Sequence, residues 1–151
     1  MNFLTNNAHW LLRIALASVL VFHGVLKFTN LEGFAQMLPI SYLQVVLVAL
    51  AETGGGLLIL LGGLGSDRYF DLATRLGAAM NVPVLLGAIG LVHWGRWNFV
   101  PTESHPMGGF EFQAVLLLLT VFLVITGNRD VVVEQPTAAP RAAAAAQGEF
   151  Q

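Results

Sequence analysis

Residues 21–28 read VFHGVLKF and set His23 and Lys27 four positions apart, where an apolar run ends. That spacing puts both on one face of a helix. Arg13 lies within roughly 80° of the same face at about 100° per residue. A second apolar run carries Glu52, followed on its own face by Gly55, Gly56, Ile59 and Gly63. Arg75 and His93 lie eighteen residues apart on a third run, so they point the same way from opposite ends. An ionisable group at mid-bilayer costs roughly 2.5–3.5 kcal/mol and is read as functional by default.

The chemistry open to such a set is the handling of protons and anions. A carboxylate in a seam of small residues must meet a counter-group or take up a proton. By depth, His23 is the first candidate partner for Glu52 and Lys27 the second. Two readings of the first run stand side by side. In one, Arg13, His23 and Lys27 form a polar stripe facing the bundle interior. In the other, Arg13 and Lys27 snorkel to opposite interfaces and His23 alone is buried. For Glu52, the plain alternative to a chemical role is a structural interhelical hydrogen bond.

The elements that must position these residues are four apolar stretches: His9 to Phe28, Tyr42 to Leu64, Leu72 to Trp94, and Phe110 to Thr126. Each is close to the ~20 residues a helix needs to cross a bilayer core, the fourth being the shortest. The first has no basic flank and no small-residue cleavage site, so it reads as a retained span rather than a signal peptide. The predicted fold is an all-α membrane protein, a four-transmembrane-helix bundle over residues 1–127, with an Ala/Pro-rich tail over 128–151. Pro83 should kink the third span near Met80, with Asn81 repairing the backbone groups it frees. The connection GRWNFVPTESHPMGG reads as ordered surface structure, with Arg96 and Glu111 as a default ion pair. A weak internal repeat relates FHGVLKF to VHWGRWNF and Glu52 to Glu111.

Composition agrees. The chain of 151 residues is 56% hydrophobic and 11% charged, against about 25% charged in soluble domains. Its mean hydropathy is +0.70. The net charge of −2 and the scattered Lys and Arg argue against nucleic acid as a partner. With no cysteine, thiolate clusters and thiol–disulfide relays are excluded, so redox chemistry must come from a cofactor, a quinone or a partner. Arg13, Arg68, Arg75, Arg129 and Arg141 lie on one side, Lys27 and Arg96 on the other. The positive-inside rule then places both termini in the cytoplasm.

The segments LLRIALASVLVFHGVLKF, ALAETGGGLLILLGG and RLGAAMNVPVLLGAIGLVHW, in that order, resemble the DoxX family of small four-helix bacterial and archaeal membrane proteins. The resemblance runs over roughly residues 8 to 127. It implies a location in the cytoplasmic (inner) membrane and an association with membrane oxidoreductase complexes. The family takes its name from a subunit of a thiosulfate:quinone oxidoreductase. If that link holds, the matching positions are Arg13, His23, Lys27 and Glu52, with His93 joining the polar set. A quinone site needs a titratable donor beside an apolar slot, which His23 and Glu52 would supply while Lys27 favours an anionic ligand. No covalently bound cofactor is implied. The competing expectation is a non-catalytic accessory subunit of a larger membrane complex, or a homo-oligomer. A further reading takes His23 and His93 as axial ligands of a b-type haem.

Overall fold

A computed structural model describes residues 7–129. Within the described residues five helices follow one another: α1 (His9–Thr29), α2 (Leu31–Met37), α3 (Tyr42–Gly62), α4 (Arg68–Ala88) and α5 (Glu111–Thr126). A wider π-helical turn, Ile89–His93, continues α4. Three of these helices are long and apolar enough to cross a membrane: α1, α3 and α4 with its π-helical extension. At 21 residues, α1 and α3 each reach about 31 Å, the thickness of a bilayer core. The fourth apolar run forms a helix of 16 residues, about 24 Å long. The chain is therefore an all-α, multi-pass membrane helical bundle. The expected tail lies outside the described residues except for Asn128 and Arg129.

Local sequence sets the ends. Asn30 both closes α1 and caps α2, its side chain accepting from Gly33 N at 3.0 Å, so the first connection holds a short helix that periodicity did not reveal. Ser41 and Gln44 form a reciprocal capping box that starts α3 after Pro39. Asp67 caps α4 by accepting from the Tyr69 and Phe70 amides. The helix runs through Pro83. Asn81 does not repair the carbonyl that Pro83 leaves free at Ala79. Its amide donates instead to Gly77 O at 2.9 Å and across to Ala51 O at 3.2 Å. It ties α4 to α3.

The core runs along the bundle axis through Leu16, Leu20, Ile59, Ala78, Leu85 and Leu123. Between α3 and α4 the backbones come very close. A side chain at Gly55 would strike Asn81 and the Gly77 carbonyl, and one at Gly77 would strike the Gly55 carbonyl and Leu58. Small residues permit this approach where a Leu–Leu contact would hold the helices apart.

One end of the bundle is closed by a polar hub. Arg13 is 1% exposed. Its Nη1 donates to Ile59 O and Thr74 Oγ1, both at 2.8 Å, its Nη2 to Asn128 Oδ1 at 2.7 Å, and its Nε to His9 Nδ1 at 3.2 Å. Asn128 also accepts from Thr74 Oγ1 and donates to Gly62 O and Gly65 O. Arg75 covers the end of α5 by donating to Val124 O, Ile125 O and Thr126 O, and it pairs with Asp71 at 2.8 Å. Thus Arg13 neither snorkels nor joins the His23–Lys27 stripe. It pins α1, α3, α4 and the chain just after α5 to one another.

The fork geometry of that hub is testable. A lysine at this position offers one ammonium where the guanidinium bonds three helices, and charge-assisted hydrogen bonds contribute about 1.5–3 kcal/mol each. Arg13→Lys should lower the unfolding midpoint in detergent, with a loss of about 3 kcal/mol. Asn128→Ala should cost a similar amount, and the double variant much less than the sum, because both remove one network.

Candidate functional site

At the opposite end from the Arg13 hub, Lys27 Nζ lies 2.7 Å from Glu52 Oε2. The two side chains are 12% and 10% exposed, so the pair is largely withdrawn from solvent and lipid. Lys27 sits in the last turn of α1, and Glu52 at the middle of α3. The long lysine stem lets the ammonium turn back into the bundle. It also reaches His23 O at 3.4 Å and lies 5.8 Å from the Phe34 ring centroid. Gly24 makes this possible: a side chain there would strike Thr53 and the Ala49 carbonyl, so α1 and α3 touch within a turn of the two charged residues.

The counter-group of Glu52 is therefore Lys27, not His23. The His23 side chain is exposed and stacks edge-on against Phe22 at 5.4 Å. Among the described residues the ion pairs are Lys27–Glu52 and Asp71–Arg75. The expected Arg96–Glu111 pair does not form: Arg96 donates to Thr102 Oγ1 at 2.7 Å, and Glu111 accepts from the Phe99 amide. The internal repeat thus equates one pair that forms with one that does not.

His23, Lys27 and Glu52 share a cavity of about 620 Å³ with His93. That volume lies within the range of small-molecule sites, roughly 300–1,000 Å³. Its walls are mostly aliphatic, with Leu20, Val48, Val84 and Leu116 among them. Arg13 is not in it; of the five sequence-predicted site residues, four line this cavity and Arg13 lies in the hub at the other end.

His93 is 8% exposed at the end of the π-helical turn. Its Nδ1 lies 3.1 Å from Gly108 O, which accepts only, so Nδ1 carries the proton. Nε2 then accepts from Gln113 Nε2 at 3.0 Å. With both ring nitrogens engaged, His93 has no free atom for an axial haem bond. Gln113 on α5 is a site residue that the sequence reading missed. It lines the cavity, and its Oε1 is buried without a hydrogen-bond partner. An amide within an otherwise apolar run was the available signal. The loop between α4 and α5 is ordered around Phe110, which stacks on Trp94 and meets Trp97 edge-on. Its backbone ties Gly109 to Asn98 and Phe110 to Arg96, which brings His93 and Gln113 together.

A multi-pass helical bundle with one ion pair set in an aliphatic cavity is the class of protein these features define. The chain belongs to the DoxX family, whose profile matches residues 8–94. It is 32% identical over 124 residues to "Putative oxidoreductase CatD" of Bacillus subtilis (strain 168), a match covering 79% of this chain and 78% of that protein. No solved structure gives a significant match.

Breaking a buried ion pair leaves one charge uncompensated and costs about 3–5 kcal/mol, whereas replacing both partners by apolar groups is close to neutral. Lys27→Met and Glu52→Leu should each lower the midpoint of thermal unfolding. The double variant should recover most of the loss. Additive losses would show that the two residues do not act as a pair.

Proposed function

We propose that this protein is a quinone-binding subunit of a membrane oxidoreductase, and that the cavity around Lys27 and Glu52 is its site. The observation that carries the reading is a single ion pair set in a largely aliphatic cavity of about 620 Å³. A quinone supplies two-electron redox chemistry in which protons are gained and lost. The residues that line the cavity suit that ligand. The aliphatic walls fit an apolar ring, Lys27 Nζ can donate to a carbonyl oxygen, and Glu52 can hold a proton close by. His23 and the Gln113–His93 couple add further polar atoms to the same space. The chain has no cysteine to ligate a cluster or relay electrons. Electrons would then pass to or from a partner subunit. The name of the Bacillus subtilis relative supports an oxidoreductase link.

This reading includes a topology. α5 is the fourth span, about 24 Å long, and the bilayer thins or flanking residues extend to meet it. Both termini face the cytoplasm of a cytoplasmic membrane, because most Arg residues gather at the hub end. The cavity then lies in the outer half of the membrane. Because the chain has no cysteine, single substitutions report on topology directly. Ser104→Cys should react with a membrane-impermeant maleimide in cells whose cytoplasmic membrane is intact, and Ser66→Cys should not. The reverse pattern would invert the assignment.

Ligand binding decides the function. Titration calorimetry of the purified protein with a quinone should give saturable binding. Glu52→Gln should weaken it about tenfold, equivalent to about 1.4 kcal/mol, and Arg13→Lys should leave it unchanged in protein that remains folded. Absence of binding, together with a stable complex that co-purifies, would favour an accessory role without a ligand.

A further inference from the structure

α3 and α4 are tight at one end and part at the other. From the hub outward, contact is closest at Gly62 against Thr74 and Phe70, then at Gly77 against Gly55, and then where Asn81 reaches Gly55 and Ala51 O. Beyond that level the close approach ends. On α4 a side chain added at Gly87, nearly two turns past Asn81, would meet nothing within 4 Å. From there the two helices line the cavity with facing stripes: Gln44, Val48 and Ala51 on α3, and Val84, Gly87 and Leu91 on α4 and its π-helical extension. These spacings are those of single helix faces.

Several cavity residues along this gap also face outward. Leu47 is 56% exposed, Met80 38% and Leu91 58%. All belong to helices long and apolar enough to cross a membrane, so that outward side is acyl chain rather than water. Toward the connections, Phe34, Leu38 and Ile40 line the cavity and are partly exposed, while Met37 and Met107 beside them are exposed. Apart from Gln44 at the start of the α3 stripe, the exposed residues along the gap are apolar, and the charged atoms lie deeper, at Lys27 and Glu52.

We propose that the cavity opens sideways into the bilayer between α3 and α4, and that its ligand is an amphiphile delivered from the lipid. The headgroup reaches Lys27 and Glu52, and the apolar chain lies along the gap past Gly87 and Leu47 and remains in the membrane. This inference rests on the quinone reading and specifies the form of quinone: one with a long isoprenoid chain, bound by chain as well as by head. Gly87 is a specificity-determining position because the absence of a side chain there leaves room for the chain.

The test compares two probes in lipid nanodiscs, a quinone with a long isoprenoid chain and the same headgroup bearing a methyl group instead. Gly87→Trp fills the gap from α4, where an added side chain meets no neighbour. Leu47→Trp fills it from α3. Each should weaken binding of the long-chain quinone about tenfold or more and change binding of the methyl quinone less than about twofold, equivalent to about 0.4 kcal/mol. Unchanged methyl-quinone binding also shows that the variants fold. Wild-type affinity for the long-chain quinone in both variants would overturn the lateral opening while leaving the quinone reading intact. Equal losses for both probes would overturn it too, because the chain would then have no separate path. If neither probe bound the wild-type protein, the quinone reading would fall and this inference with it.

Discussion

The structure depends on how a buried guanidinium is satisfied. A charge at 1% exposure inside an apolar bundle is tolerable only if its donors find acceptors of fixed geometry. Arg13 finds them in groups from three other segments: a backbone carbonyl that the α3 helix leaves available, a threonine hydroxyl on α4 and an asparagine amide just after α5. None of these direct partners is a carboxylate. The network therefore works through position, and the neighbouring carboxylate, Asp71, is taken up by Arg75 and the Asn128 amide. Because Asn128 also takes up the free carbonyls at the end of α3, one cluster ends two helices and aligns four. The small-residue seam of α3 and α4 can close at that end because the hub holds it there.

The same constraint shapes the other end. Two helices pinned close at one level and crossing at an angle separate with distance along their axes. The seam of Gly55 and Gly77 ends at Asn81, and beyond it the space between the helices is a cavity rather than a core. Into that space the chain sets Lys27 and Glu52. The bundle is thus divided along its length into a polar clamp, an aliphatic middle and an ion-paired cavity.

Much of this was legible in the sequence, and what was not has identifiable physical causes. Hydropathy located the long helices to within a few residues, since burial in lipid dominates every local preference. The interior position of Glu52 followed from its depth and the glycines behind it. Its partner did not follow. Helical spacing puts His23 and Lys27 on the same face and says nothing of reach, and the longer, more flexible side chain won. Arg13 shares that face but lies ten residues from His23, about 15 Å along the axis, so angle without height grouped it wrongly. Asn128 follows a glycine at the start of an alanine- and proline-rich segment, and nothing in its surroundings marks it as buried. Gln113 stands out as an amide in an apolar run, but a reading built on charged groups and histidines passes over it. Both gain their meaning from contacts across the bundle, with His93 twenty residues away and Arg13 one hundred and fifteen. The family match ends at residue 94, so neither falls within it.

Energetics bear on why an ion pair occupies the cavity at all. Withdrawing an ammonium and a carboxylate from water costs several kcal/mol per ion, and their mutual attraction rarely returns more than that. Two aliphatic side chains of similar volume would hold α1 against α3 at least as well, and the contact of Gly24 with Thr53 already fixes that interface. Stability therefore does not account for Lys27 and Glu52. The hub differs on this point, because Arg13 binds neutral acceptors that would be left unsatisfied without it. At the cavity, the two charged groups satisfy chiefly each other, beside a space large enough for a small molecule. A pair that contributes little to holding the helices, yet keeps a donor and a proton acceptor within 2.7 Å of each other beside that space, is accounted for by what it meets there.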